Sequence, residues 1–220
     1  MLDLLLPQRC LGCSAAGAQV CTRCTDSIPR VQAPLCERCG TPTAWPVARC
    51  RECTGRRLAF VRARAAVVYD DSVRRIVGAW KERGLKRLAV WAAELIVEVV
   101  PPPRAHCIAF VPPDRDRRLR RGGHAAEALA RELSARWNLP CEPLLSRTRT
   151  APRQRGLDHV ARRRNVRGAF APAMQVRGRI LLVDDVYTTG ATVSAAASAL
   201  RKGGAQSVEV ATFARAIRIR

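Results

Sequence analysis

Two adjacent carboxylates and three closely spaced hydroxyls stand in one short stretch of the sequence. In chain order they are Asp184, Asp185, Thr188, Thr189 and Thr192, with Gly190 and Ala191 inside the threonine group. Hydroxyls and the free amides of a helix start bind phosphate, and a glycine lets the backbone approach the anion closely. The two carboxylates would repel that phosphate, but their oxygens suit a sugar diol or a Mg²⁺ ion beside it. The stretch therefore predicts a site for a ribose 5-phosphate group.

A strand and a helix must hold these groups in place. The apolar run Ile180 to Val183 predicts a fully buried strand of a parallel sheet, with the acids directly after it. The alanine-rich segment from Val193 to Lys202 predicts a helix that ends at Gly203-Gly204. The same pattern also fits a plain helix cap, in which the acids and threonines only form the turn.

Eight of the ten cysteines form four pairs with two residues between the partners, all within the first 53 residues. The pairs are Cys10/Cys13, Cys21/Cys24, Cys36/Cys39 and Cys50/Cys53. Two thiolates in a tight turn reach one tetrahedral Zn²⁺, so the pairs predict two structural zinc ions. Sequential pairing would group the first four cysteines and the last four, and interleaved pairing stays open. A disulfide framework would need an export signal, which the sequence does not display.

The remaining sequence alternates predicted strands and helices, which indicates an α/β fold with a mostly parallel sheet flanked by helices. The predicted elements are a strand or hairpin over 58–69, helices over 73–83, 86–99 and 124–137, and strands over 106–111 and 207–214. We place a domain boundary between residues 57 and 58, so that residues 1–57 form a double zinc ribbon and residues 58–220 form the α/β domain. His124 is expected near a helix cap, and Cys107 and Cys141 as small buried residues.

The chain is strongly basic, with a formal net charge of +21 from 39 Lys and Arg against 18 Asp and Glu. Such a charge favours a polyanionic partner, either nucleic acid or a pyrophosphorylated substrate, although a GC-rich coding bias toward arginine would also contribute. Five arginines lie between Arg115 and Arg121, where a strand is expected to end. They fit a pyrophosphate, or they form a solvated charge run. Without a leader or an 18-residue apolar run, a cytoplasmic protein with no membrane span is expected.

Taken together, the motifs identify the chain as resembling the ComF family. The resemblance depends on the four cysteine pairs, on Thr150-x-x-x-Gln154-x-Gly156-Leu157, on Arg162 to Phe170 and on Leu182 to Thr192. The last of these also resembles the phosphoribosyl-pyrophosphate (PRPP) signature of type I phosphoribosyltransferases. At one place the sequence departs from the family, because Gly123-His124-Ala125 stands where Phe-Asn-Gln is usual.

The resemblance implies a type I phosphoribosyltransferase fold behind a double zinc ribbon. It implies that Asp184 and Asp185 bind the ribose, that Thr188 to Thr192 bind the 5′-phosphate, and that PRPP arrives with Mg²⁺. Arg118, Arg121, Arg162 and Arg163 are then candidates for the residues that hold the pyrophosphate, and the arginine-rich segment 146–168 resembles the loop that closes over PRPP. Family members resemble factors for DNA uptake in natural transformation, or for DNA use as a nutrient, and act near a helicase and other DNA-processing proteins.

Two classes of function follow. One is a Mg²⁺-dependent phosphoribosyltransferase, in which positioning and charge stabilise the departing pyrophosphate. The other is a non-catalytic adaptor that senses PRPP or a ribonucleotide and binds single-stranded DNA, mostly through phosphate contacts.

Overall fold

A computed structural model describes residues 8–113, 124–148 and 168–217. Its helices are α1 (Thr22–Ser27), α2 (Asp71–Arg83), α3 (Arg87–Val99), α4 (Ala125–Trp137) and α5 (Ala191–Lys202). Its strands are β1 (Arg62–Val68), β2 (Cys107–Phe110), β3 (Leu145–Arg147), β4 (Phe170–Pro172), β5 (Arg179–Tyr187) and β6 (Ser207–Arg215).

Four strands form one parallel sheet in the order β1-β6-β5-β2. Two hydrophobic clusters cover its faces. On one face, α2, α3 and α4 pack against alternate residues of the sheet such as Leu181 and Val183. On the other face, α5 packs against residues such as Ile180 and Leu182. Helices on both faces of a parallel sheet are the architecture that the alternating pattern predicts, so the α/β fold class is confirmed.

The long helices begin and end where their capping residues indicate. The side chain of Asp70 accepts a hydrogen bond from the amide of Val73 and starts α2, which ends at Gly84 in the left-handed conformation. The Nδ1 atom of His124 accepts a hydrogen bond from the amide of Glu127 at 3.3 Å and starts α4. His124 is therefore a helix-capping residue, as the sequence predicts.

Three parts of the prediction differ from the structure. Strand β5 does not stop before the acids, because Asp184 pairs with Thr212 and Tyr187 pairs with Arg215 on β6. Of the two alternatives for the segment 58–69, the strand is confirmed and the hairpin is wrong, because the segment contributes β1 alone. The irregular segment from residue 146 begins inside β3, which pairs with β4 as a separate antiparallel ribbon. In each case the partner strand decided the outcome, and local sequence carries little information about the partner.

The N-terminal region is not an isolated appendage. All four cysteines of the second group, Cys36 to Cys53, are buried in the same cluster as α5 and the sheet, and Ile28 belongs to the cluster on the opposite face. The boundary between residues 57 and 58 consequently stays a prediction. In the described part of the chain, the helices are all too short or too polar to cross a membrane.

Candidate functional site

The residues from Thr188 to Thr192, here called the hydroxyl turn, join the carboxyl end of β5 to the start of α5. Gly190 is the N-cap of α5 and has a φ of 71°. Residues other than glycine rarely adopt this left-handed backbone conformation. The hydroxyl of Thr189 accepts a hydrogen bond from the amide of Ala191 at 3.3 Å. Among the residues that the structure describes, the amides of Thr192 and Val193 have no hydrogen-bond partner. The turn thus presents free donors at a positive helix end, which is where proteins bind phosphate.

The side chain of Tyr187 lies directly beneath this turn. A Cβ atom on Gly190 would stand 2.2 Å from the Tyr187 hydroxyl, so only glycine fits there. Tyr187 is 3% exposed, and burial raises the pKa of its hydroxyl. That hydroxyl has no hydrogen-bond partner within the described residues, although it is buried. A buried polar group without a partner costs free energy, and here it lies against the turn that would receive the ligand.

The two acids are neighbours on β5, and their carboxyl groups interact with each other and with Lys81. Asp185 faces the side that α2 covers, and its Oδ2 atom lies 2.6 Å from the Nζ atom of Lys81. The Oδ1 atom of Asp184 accepts a hydrogen bond from the amide of Asp185 at 2.9 Å. The sequence reasoning missed Lys81; its only local signal is that it is one of three lysines in an arginine-rich chain.

The environment of Asp184 favours the protonated carboxyl group. The residue is half-buried. Burial, with the charge of Asp185 as the second cause, raises the pKa of Asp184 to about 8, although Lys81 lowers it. A raised pKa favours the protonated form, which can donate a hydrogen bond as well as accept one.

The cysteines form two groups of four with sequential pairing, which leaves no place for the interleaved alternative. One group is Cys10, Cys13, Cys21 and Cys24, and the other is Cys36, Cys39, Cys50 and Cys53; within each group the sulfurs lie within 4.8 Å of one another. Sulfur pairs stand 3.6 Å apart at Cys13–Cys21 and at Cys39–Cys50. Four thiolates about 2.3 Å from one Zn²⁺ have edges of about 3.8 Å, so both groups fit tetrahedral zinc.

Backbone amides prepare both groups for a metal. The amide of Cys21 donates to the sulfur of Cys10 at 3.3 Å, and the amide of Cys50 donates to the sulfur of Cys36 at the same distance. Burial by itself would raise the pKa of these thiols, but backbone donors lower the pKa of Cys10 to about 6 and that of Cys36 to about 7. Each group thus holds one cysteine that is ready to bind as a thiolate. The prediction of two structural zinc sites is confirmed.

Beside the turn lies a groove of about 730 Å³ between α5 and the residues that follow the last cysteine. Arg56, Arg57 and Lys202 line it with positive charge, and Ser194, Ser198 and several alanines form its floor. The sequence reasoning missed this groove, because nothing local indicates that residues 55–59 pack against α5. It also missed Arg56 and Arg215, which contact the turn and Tyr187.

Some predicted site residues lie outside the described residues. They are Arg118, Arg121, Arg162 and Arg163, together with most of the arginine-rich segment and the Gly123 position of the family departure. Cys107 is buried, as predicted, whereas Cys141 is only half-buried.

Two segments of the chain match known protein families. Residues 1–54 match the model of the double zinc ribbon domain, and residues 119–218 match that of the phosphoribosyl transferase domain. The DNA utilization protein YhgH of Escherichia coli (strain K12) is 31% identical over 87% of this chain and 86% of its own length. Competence protein F of Haemophilus influenzae is 27% identical over 94% of this chain and 97% of its own length.

A solved structure is also similar in part. The glutamine PRPP amidotransferase from B. subtilis superposes with a TM-score of 0.39 at 22% identity. The superposition covers 58% of this chain and 25% of that one, so the chain spans about a quarter of its length.

Proposed function

The chain belongs to the ComF family, which joins a double zinc ribbon to a phosphoribosyltransferase domain, and from that premise we propose that it binds PRPP with Mg²⁺ in the hydroxyl turn. The observation that carries the proposal is the open N-terminus of α5 at the end of β5, where free amides and threonine hydroxyls surround Gly190. Ligands of parallel sheets bind at the carboxyl ends of the strands, which is where this turn lies.

In this assignment each part of the site has one task. Thr188, Thr189 and the amides of Thr192 and Val193 hold the 5′-phosphate. Asp184 contacts the ribose diol, since a carboxyl group with a raised pKa can both donate and accept hydrogen bonds. Asp185, paired with Lys81, contacts the same diol. A carboxylate oxygen of Asp184 or Asp185 would help to hold Mg²⁺, and the ion would offset the negative charge of the pyrophosphate.

The activity that this site would perform is transfer of the phosphoribosyl group to an acceptor with release of pyrophosphate. The reaction passes through a state that resembles a ribosyl cation. The protein would therefore contribute chiefly by positioning PRPP and by stabilising the charge of the departing pyrophosphate. The pyrophosphate would be held by Arg118, Arg121, Arg162 and Arg163, on the strength of their sequence motif. We further propose that the protein acts in uptake or use of DNA, as the names of the YhgH and competence protein F relatives indicate for those proteins.

The test is titration calorimetry of the full chain with PRPP and Mg²⁺. Thr189→Val removes a hydroxyl of the turn at nearly constant volume, and we expect it to weaken binding about tenfold. Ser198→Ala is the matched control, since this hydroxyl lies on α5 but well away from the turn. Unmeasurable binding of PRPP by the unmodified protein at millimolar concentration would refute the assignment.

A second candidate is a non-catalytic adaptor for single-stranded DNA, and the basic groove favours it. Arg56, Arg57 and Lys202 line one side of a channel whose floor of serines and alanines allows close approach of a backbone. Fluorescence anisotropy with a labelled oligonucleotide at several salt concentrations tests it. Neutralising Arg57 and Lys202 together should weaken binding and reduce its salt dependence. If PRPP is bound but never consumed with any nucleobase, with or without DNA, the adaptor is the better description.

A further inference from the structure

The second cysteine group touches the hydroxyl turn through two arginines. Arg56 follows the last cysteine pair, and its amide donates to the carbonyl of Cys53 at 3.1 Å. Its guanidinium donates to the backbone carbonyl of Thr189 at 2.8 Å. One side chain therefore joins the turn around the metal site to the middle of the hydroxyl turn.

The other arginine, Arg215, lies deeper in the molecule. It is 1% exposed, and its guanidinium donates to the carbonyl of Cys39 and stands 3.4 Å from the sulfur of the same residue. The guanidinium carbon also lies 4.5 Å from the centre of the Tyr187 ring. Tyr187 in turn fills the space beneath Gly190. A chain of direct contacts thus runs from a zinc ligand through Arg215 and Tyr187 to the turn.

Charge explains why Arg215 needs the metal site. A fully buried arginine is costly unless negative groups surround it. Glu52 stands 3.3 Å away and supplies one such group. Four thiolates on one Zn²⁺ carry a net charge of about −2, so a loaded site supplies the rest. A bound metal would also fix Cys39 in place, and with it the backbone carbonyl that accepts from Arg215.

The first cysteine group makes no comparable contact within the described residues. It is more exposed, and the residues around it meet the opposite side of the domain, where Trp91 donates to the hydroxyl of Thr25 at 3.0 Å. The two groups therefore differ in what they can influence.

We propose that Arg56 and Arg215 are positioning residues, through which the loaded second cysteine group, but not the first, holds the hydroxyl turn in its ligand-binding shape. This inference deepens the proposed function, because it concerns how the same turn is kept ready. It makes zinc a determinant of the ligand affinity of the turn as well as a source of folding free energy.

Hydrogen exchange of the full chain without ligand tests the coupling directly. We expect Arg56→Ala to speed exchange of the amides in the 186–194 segment about tenfold, because the turn loses its anchor. Arg51→Ala is the matched control, since Arg51 is an exposed arginine between Cys50 and Cys53 of the second cysteine group. Arg56→Lys should recover part of the protection, because lysine can still donate to the carbonyl of Thr189.

Metal removal supplies the second readout. Cys13→Ser and Cys53→Ser each remove one ligand, from the first and the second group respectively, and zinc content confirms the loss. We expect Cys53→Ser alone to speed exchange in the 186–194 segment. If Cys53→Ser fails to fold, Arg56→Ala decides the matter. Unchanged exchange of the segment in Arg56→Ala would overturn the inference.

Ligand binding separates this inference from the proposed function. In calorimetry with PRPP and Mg²⁺, Arg56→Ala should raise the dissociation constant roughly fivefold to tenfold, and Arg51→Ala should leave it within a factor of two. If the unmodified protein binds no PRPP but exchange still responds to Arg56, the ligand assignment fails and the coupling holds. If PRPP binds equally to the unmodified protein and to Arg56→Ala, and hydrogen exchange of the 186–194 segment is the same in the two, the coupling fails and the proposed function holds.

Discussion

The Nζ atom of Lys81 lies 2.6 Å from the Oδ2 atom of Asp185, and this ion pair ties helix α2 to the strand that carries both acids. The carboxyl side chain is 11% exposed and the lysine side chain is 32% exposed. The pair is therefore partly desolvated, and it holds the side chain of Asp185 on the α2 side of the sheet. Asp184 interacts with both members of this pair, so Lys81 serves the two acids together.

Replacing Lys81 with methionine is expected to destabilise the protein, because Asp185 would remain largely buried without this partner. Since the lysine is partly in water, we expect about 1–2 kcal/mol, or a fall in Tm of about 3–6 °C. Thermal unfolding followed by circular dichroism measures it. Lys86→Met is the control, since Lys86 is exposed at the start of α3 and makes no side-chain cap there. A Tm for Lys81→Met equal to that of the control would contradict a stabilising pair.

The raised pKa of Asp184 predicts how stability varies with pH. Between the ordinary value of 3.8 and about 8 the folded state binds the proton and the unfolded state does not, so this acid lowers stability as pH rises through that window. Asp184→Asn removes the effect, and its side-chain oxygen can still accept from the amide of Asp185. Without Mg²⁺ or PRPP, we expect the Tm of Asp184→Asn minus the Tm of the unmodified protein to increase from pH 6 to pH 8. Above pH 8 this difference should stay constant. A constant difference between the two Tm values would exclude the raised pKa.

Gly190→Ala tests the close approach of Tyr187 to the turn. The new Cβ would stand 2.2 Å from the Tyr187 hydroxyl and would need a φ near 71°. Gly55 has a φ of 72° with open space around it, so Gly55→Ala measures the cost of the backbone conformation alone. We expect about 1 kcal/mol of destabilisation for Gly55→Ala and at least twice that for Gly190→Ala. Equal losses in urea unfolding would mean that Tyr187 moves aside freely.

Zinc should leave the protein in two steps. Three of the first four cysteines are only half-buried, whereas all four of the second group are buried in the core shared with α5. We expect a chelator to remove one zinc per chain quickly and the second at least tenfold more slowly, with unfolding of residues 1–55 as the end point. Elemental analysis should find two zinc ions per chain before treatment. Release of both ions at one rate would contradict the difference in burial.

Local patterns in the sequence determined the chemistry of the cysteine pairs, the hydroxyl turn and the helix caps. Each of these depends on residues within a few positions of one another, such as Cys36 with Cys39 or Asp70 with Val73, so spacing alone specifies them. The period of the apolar residues likewise determined the α/β alternation.

The tertiary structure decided everything that joins residues far apart in the chain. Asp185 faces Lys81 because β5 pairs with β6 past the acids, and local apolar residues would have ended that strand at Val183. Arg56 reaches Thr189 across 133 positions, and Arg215 reaches Cys39 across 176. Such contacts arise from packing of the whole core, in which no single segment carries the information about its partner. For this reason the sequence located the turn, and only the fold revealed what holds it.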